Sequence, residues 1–348
     1  MRREDLYVRS SLEYDGFDDF LSDRGLNPKS LMRRVGLDTS PSESKIHYIS
    51  WAKCARYLEL ASQSAEDPYL GLKWAFAMPK DYRSSGPTLF LTSTASNLRH
   101  FLDMAIEYQK IHTNGVAYSY VEDGVAREIV GFIDIHPLSP SCRQYCEHIV
   151  AGVVIMAKRY VSNFKLKRAS FQYSAPEDLT WYEKAFECPI EFDAPRNTIV
   201  VDSSLFKLEK AQLTTKLIKP FAKAYLSWQL DRNPWSKASI TGTVIQTLPT
   251  ILGVRSSDIK TVAEVLDLHP KKLQRLLSDE GTTYSSVLND VRKSLAERLL
   301  AESNISVERM AKLLDYASDR PFTAAMRRWH DMTPTQYRKF AKQKARRP

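Results

Sequence analysis

Two stretches of the chain, "IKTVAEVLDLHPKKLQRLL" from Ile259 and "VERMAKLLDYASDRPFTAAM" from Val307, are one pattern written twice. Ala263 matches Ala311, Asp267 matches Asp315 and Leu268 matches Tyr316 at an offset of 48; after one inserted residue, Leu273 matches Phe322 and Leu277 matches Met326 at 49. A self-similar period of this length marks a repeated supersecondary unit and restricts the fold more than any single motif does. Each copy spells a short amphipathic helix, a tight turn, and a second helix with an apolar face, the outline of a helix-turn-helix. The first unit spans about residues 259–281 and the second about 306–330. Between them, "TYSSVLNDVRKSLAERLLAES" repeats apolar residues at Leu288, Val291, Leu295 and Leu299. That spacing predicts one helix of about 18 residues and about 27 Å, close to the roughly 34 Å that separates successive major-groove faces. Ser306 caps the next helix, with Ile305 and Met310 placed as a hydrophobic staple.

The second helix of the first unit has marked ends and an asymmetric face. Pro270 suits the first helical position and Gly281 the left-handed position past the end. At 100° per residue Leu273, Leu276 and Leu277 share one side, while Lys271, Gln274, Arg275 and Ser278 share the other. No acid lies on that polar side, although a solvated face ordinarily mixes signs. Asp279 and Glu280 are held back to the C-terminal end. In the second unit Phe322, Ala325, Met326 and Trp329 face inward, Arg320, Thr323, Ala324 and Arg327 face outward, and Asp319 lies at the rim.

Charge is distributed as unevenly along the chain. From residue 237 onward there are 20 Lys and Arg against 12 Asp and Glu, a net of +8, leaving 30 against 29, a net of +1, for residues 1–236. A basic module on a neutral partner implies a polyanion, with nucleic acid ahead of a membrane surface. The longest apolar run, "IVAGVVIMA" from Ile149, is too short for a bilayer span of about 20 residues. No secretory signal is visible at the N-terminus, so the expected location is the cytoplasm.

The first two-thirds mixes helix and strand signals. "SLEYDGFDDFLSDRG", "PKSLMRRVG", "ISWAKCARYLELASQSA" and "NLRHFLDMAIEYQKIH" carry helical spacing. "VAYSYVEDGVAREIVGFIDI" forms two β-rich runs around Glu122-Asp123-Gly124, a hairpin. Helix resumes in "CRQYCEHIVAGVVIMAKRYV", followed by strand "RASFQYSA", helix "LTWYEKAF" and strands in "IEFDAPRNTIVVD". The expected fold is multidomain: an α+β N-terminal domain with a small antiparallel sheet over residues 1–208, a helical linker over 209–236 broken by Pro220 and "DRNPWSK", and an all-α C-terminal domain over 237–348.

At these residues the sequence strongly resembles the DNA-binding domain of the AraC/XylS family of bacterial transcription regulators, over roughly residues 240–342. "FTAAMRRWHDMTPTQYRKF" carries the family's closing signature, with Arg328-Trp329 and Thr333-Pro334-Thr335-Gln336-Tyr337-Arg338 in the expected places, and "LQRLLSDEGTTY" carries the first copy. Residues 15–205 resemble the arabinose-binding-type N-terminal domain of one branch of that family, through "RGLNPKSLMRRVGLD", "EDPYLGLKWA", "RASFQYSAPED" and "FDAPRNTIVVD". The resemblance implies an effector-sensing and dimerising N-terminal domain and a sequence-specific regulator, an effector-responsive activator, with double-stranded DNA, RNA polymerase, a second copy of the chain and a small-molecule effector as partners. It implies no resident cofactor. Carried over by position, Lys271, Gln274 and Arg275 meet base edges, Arg to guanine and Gln to adenine; Arg320 and Thr323 are the counterparts in the second unit. Lys272, Ser278, Arg327, Arg338 and Lys339 hold phosphates, and "KQKARRP" is a flexible basic tail. The chain departs from the family at His269, where Ser is usual and the cap is expected to weaken, at Asp315 and Asp331, where Gly is usual, and at Ala324, where a longer side chain is common. These departures place base reading in the first unit more than in the second.

Other function classes find less support. There is no glycine-rich phosphate loop, no H-E-x-x-H and no G-x-S-x-G, so an enzyme is not expected. The seven histidines are scattered; His112, at a helix end, reads as a cap or surface residue. Cys142, Cys146 and His148 are spaced as buried thiols beside a histidine more than as a zinc site, and Cys54 and Cys188 as reduced thiols. The remaining alternative is an architectural or constitutive DNA-binding protein whose N-terminal domain only dimerises. Trp74, Tyr108 and Tyr118 line a pocket or belong to the core, and Arg127 binds a carboxylate or faces water; no residue names the effector.

Overall fold

The computed structural model describes residues 6–9, 16–37, 48–78, 97–139, 142–161, 164–207, 239–253 and 255–345. The expected linker over 209–236 lies outside them, as do Pro220 and the last residues of the basic tail.

In the N-terminal domain, β1 (Tyr7–Arg9) and β2 (Tyr48–Ser50) pair antiparallel in a separate two-stranded sheet that periodicity did not announce, since three residues are too few to show a period. Helices α1 (Phe17–Ser22), α2 (Pro28–Arg34), α3 (Trp51–Ser64) and α4 (Leu70–Ala77) follow. Local chemistry sets their ends: Asn27 Oδ1 accepts from Ser30 N at 3.0 Å, with Pro28 at the first helical position. Asn97 Oδ1 likewise caps α5 (Leu98–Tyr108), accepting from His100 N at 2.8 Å.

The five-stranded sheet runs β3 (Val116–Asp123), β4 (Glu128–Ile135), β7 (Thr198–Asp202), β5 (Leu166–Ser170), β6 (Ile190–Glu191). The hairpin is present with Tyr118 opposite Ile133, and Asp123 Oδ1 accepts from Val125 N and Ala126 N in its turn. The sheet is antiparallel except at its edge, where β6 pairs parallel to β5. The strand expected through "RASFQYSA" stops at Ser170, because Phe171 and Tyr173 leave it for an aromatic cluster with Tyr182, Phe186 and Phe192. Helix α6 (Arg143–Tyr160) crosses the domain, and α7 (Thr180–Phe186) packs at its side. Gly71 on α4 lets α6 approach: a Cβ there would lie 2.1 Å from the Gln144 carbonyl oxygen.

Every described segment beyond residue 239 is helical: α8 (Ile240–Ile251), α9 (Ile259–Val265), α10 (Pro270–Asp279), α11 (Tyr284–Glu302), α12 (Val307–Leu313), α13 (Asp319–His330) and α14 (Pro334–Ala345). The duplicated pattern becomes two copies of one backbone turn. Asp267 and Asp315 both sit at left-handed φ, 53° and 55°. In each turn the next residue donates back across the helix end, Leu268 N to Ala263 O at 2.8 Å and Tyr316 N to Ala311 O at 2.9 Å. Asp tolerates this conformation better than most residues, which accounts for the loss of Gly at 315; Asp331 takes the same role after α13, at φ 55°. Helix α14 continues to Ala345, with Lys342 bonded to Asn304, so the expected flexible tail is helical over its first residues.

Candidate nucleic-acid interface

Helix α10 is built from its buried side outward. Leu273 and Leu277 are fully buried and Leu276 half-buried, while Lys271, Lys272, Gln274, Arg275 and Ser278 are exposed. Each fully buried leucine stabilises the fold by about 2 kcal/mol, which fixes the rotation of the helix and so the direction of its polar side. His269 takes the cap position and its Nδ1 accepts from Lys271 N at 3.3 Å. The cap expected to weaken is kept in a longer form. Glu280 has a task inside the domain, accepting from Ile240 N at 2.8 Å and Thr241 N at 2.9 Å at the start of α8. Its position at the end of α10 thus follows from packing, and the exposed face is left without an acid.

Helix α13 repeats the arrangement. Phe322, Ala325 and Met326 are buried, Arg320, Ala324 and Arg327 are exposed, and Thr323 is half-buried. Trp329 Nε1 and Arg328 both donate to Asn289 Oδ1 on α11, at 3.1 and 3.0 Å. The side chains of Lys271, Lys272, Gln274, Arg275, Arg320, Arg327 and Lys339 have no hydrogen-bond or ion-pair partner among the described residues. Arg338 differs from its expected role. It is half-buried and donates to the Ile305 carbonyl, tying α14 to the start of α12, so it is not among the free cations. The Thr333–Gln336 signature is a capping box: Thr333 Oγ1 accepts from Gln336 N at 3.3 Å and Gln336 Oε1 accepts from Thr333 N at 2.8 Å.

The two units are joined by more than α11, which at 19 residues is about 28 Å long. Asp315 Oδ2 accepts from Ser257 N at 2.8 Å and Ser257 Oγ at 2.6 Å, linking the turn of the second unit to the start of the first. Arg292 on α11 donates to Ser257 Oγ at 3.0 Å and to the Asp315 carbonyl at 2.7 Å, and Tyr284 donates its hydroxyl to Ser257 O at 2.6 Å. An Asp in place of Gly thus supplies an interunit bond that Gly lacks. Ser257, Arg292 and Asn289 were missed in the sequence because each reads there as an ordinary polar surface residue.

A second set of contacts ties α11 to the N-terminal domain. Arg298 is only 7% exposed and donates to the Ile135 and His136 carbonyls at 3.2 and 3.4 Å. Ser174 N donates to Glu302 O at 2.9 Å, and Asn304 N to Asp193 Oδ1 at 2.8 Å. Nearby, Glu59 is half-buried, but its carboxylate turns inward to accept from Gln144 N at 3.0 Å. Burial pushes this carboxyl up to about 7; the Gln144 hydrogen bond opposes the shift, and Glu147 and Glu302 add to it.

The residues left open in the N-terminal domain separate. Between one face of the five-stranded sheet and helices α5 and α6 lies a cavity of about 250 Å³, lined by Tyr118 and by His112 among others. Trp74 stands behind it, stacked on His148, and Tyr108 is core. Arg127 sits in the hairpin turn at φ 54°, exposed. Cys142 and Cys146 are buried thiols, pushed up by burial. Among the described residues no group of three or more potential metal ligands occurs, and no helix is long and apolar enough to cross a membrane.

Residues 25–209 match the model of the arabinose-binding domain of AraC transcription regulators, and residues 262–339 match a helix-turn-helix domain. The HTH-type transcriptional regulator VirS of Mycobacterium tuberculosis is 26% identical over 330 residues, covering 93% of this chain and 94% of its own. The ornithine utilization regulator of Pseudomonas aeruginosa is 23% identical over 330 residues, with 92% and 93% covered. The crystal structure of the transcriptional regulator CdpR from Pseudomonas aeruginosa aligns over 92% of this chain and 98% of its own, at 20% identity and a TM-score of 0.40.

Proposed function

Since the chain belongs to the AraC family of transcription regulators and is a DNA-binding regulator, we propose that it is an effector-responsive activator that acts by binding rather than by catalysis. In this reading it works in the cytoplasm as a homodimer, reads two adjacent major grooves with α10 and α13, and recruits RNA polymerase. The observation that carries the base-reading assignment is the polar side of α10, where Lys271, Gln274 and Arg275 are exposed, unpaired and free of acids. Arg and Gln are the side chains whose paired donors and acceptors match guanine and adenine edges. Arg320 and Thr323 do the same more weakly on α13, beside Ala324, while Lys272, Ser278, Arg327 and Lys339 hold phosphates. The effector part of the reading is supported by the cavity of about 250 Å³ in the N-terminal domain. A ligand there controls DNA binding only if it favours one arrangement of the domains over another.

Selection of bound sequences from a random duplex pool, followed by footprinting, tests the reading. Two protected major-groove segments about one helical turn apart are expected. Uniform binding without a consensus leaves an architectural protein instead. Transcription in vitro from a selected site, with RNA polymerase, should rise when the chain is added; a fall overturns the activator assignment.

A further inference from the structure

The cavity between the sheet and helices α5 and α6 has a definite chemistry. Its walls are mostly apolar, with Leu98, Phe101, Phe132 and Ile149 among them and polar groups at Gln109, His112 and Thr113, and its described lining contains no Lys, Arg, Asp or Glu. A buried ion without a counter-charge is costly, so a charged occupant is disfavoured by the walls themselves.

One wall residue is polar and incompletely bonded. His148 is 6% exposed, and its ring lies flat on Trp74, with centroids 3.6 Å apart and planes at 13°. Nδ1 is buried without a hydrogen-bond partner, and the Gly71 backbone lies close enough to the ring to favour its protonated form slightly. Burial drives the imidazolium form down to about 3, so the ring is neutral at physiological pH. A neutral imidazole that turns its N–H to the Gly71 backbone presents its other nitrogen as an acceptor. With the other ring nitrogen as that donor, Nδ1 is left a buried, unmet acceptor on a residue of the cavity wall, and such a group costs stability until a donor meets it.

Size narrows the occupant. An apolar cavity of about 150 Å³ holds benzene; one of about 250 Å³ holds roughly a dozen non-hydrogen atoms. We propose that this cavity binds a neutral, largely apolar molecule of that size carrying one hydroxyl, which donates to His148 Nδ1. The proposal deepens the effector reading of the N-terminal domain and rests on it.

Three probes of one skeleton test it on the full chain by calorimetry at pH 7.5: 4-butylphenol, butylbenzene and 4-butylbenzoate. The phenol should bind, butylbenzene roughly two- to tenfold more weakly for want of the hydrogen bond, and the benzoate more than about tenfold more weakly because its charge is unmatched. His148→Phe keeps the aromatic stack on Trp74 and should bring the phenol down to the affinity of butylbenzene. Ala105→Phe, which fills the cavity from α5, should abolish both; if that variant does not fold, His148→Phe still decides. No binding of the phenol, equal binding of the benzoate, or a phenol preference that survives His148→Phe overturns the proposal. Gel shifts on a selected DNA site separate the two readings. Phenol binding that leaves DNA affinity unchanged supports the site and overturns the effector reading. A carboxylate or sugar that changes DNA affinity without competing with the phenol upholds the effector reading and overturns this site.

Discussion

Gln274 and Arg275 stand exposed on α10 without an intramolecular partner among the described residues, whereas Glu280, at the end of the same helix, is bonded to two backbone amides of α8. The first two side chains therefore hold nothing in the fold together, whereas Glu280 ties α10 to the start of α8. Replacing Gln274 and Arg275 together with alanine should reduce binding to a selected site by about 2 to 5 kcal/mol and leave binding to random DNA nearly intact. Competition titrations check this, and equal loss on both DNAs makes these residues backbone contacts only. Glu59 supports a prediction of another kind. Its carboxyl is raised from 4.5 to about 7 in the folded chain, chiefly by burial. Between those values the native state holds a proton that the unfolded state has released. The stability that goes with it is complete below about pH 4.5 and is lost as pH rises through 7. Glu59→Gln, which keeps an acceptor for Gln144 N, should leave stability at pH 5 little changed and raise it at pH 8 by up to about 3 kcal/mol. Denaturant titrations at the two pH values measure it; an equal effect at both places the Glu59 carboxylate in water.

At the scale of elements, α11 has the largest share of the architecture. It carries Val287, Val291 and Leu295 into the C-terminal core, Arg292 into the junction between the two units, and Arg298 into the N-terminal domain. The helix itself was legible from the spacing of Leu288, Val291, Leu295 and Leu299. The burial of Arg298 was not, because an arginine beside a leucine stripe reads as a solvated flank until another domain covers it. Arg298→Met should keep the helix but lose two charge-assisted hydrogen bonds, costing roughly 2 to 3 kcal/mol in the full chain. Amide exchange should then rise both near His136 and near Glu302. Protection unchanged at either place shows that the contact does not hold the domains together.

At the scale of the molecule, the net charge of +8 from residue 237 onward sits on a domain whose recognition helices leave Lys272 and Arg327 exposed and unpaired. DNA affinity should fall steeply between 50 and 200 mM salt, with each neutralised phosphate contributing about 0.9 to the logarithmic slope. Lys272→Ala, Arg327→Ala and Lys339→Ala should each lower that slope by about 1 and weaken specific and random DNA alike. Arg338→Ala should leave the slope unchanged and lower thermal stability instead, because its guanidinium is bonded to the Ile305 carbonyl. A slope that follows Arg338 and ignores Lys272 reverses these roles.

The sequence by itself determined what nearest neighbours along a helix or hairpin decide. Pro270 and Gly281 bound α10, Ser306 caps α12, a turn over 124–127, two residues later than the Glu122-Asp123-Gly124 signal, closes β3 on β4, and the offset of 48 repeats a turn with an aspartate at left-handed φ in both copies. These are short-range effects with a fixed period, so they can be read along the chain. Only the tertiary structure decided which polar groups are taken out of water. It buried Arg298 and half-buried Arg338 against carbonyls far away in the chain, used Asp315 to join the two units, paired β6 parallel to β5, and left His148 Nδ1 buried without a partner. Burial depends on what arrives from elsewhere in the chain, and spacing along one element carries no record of that.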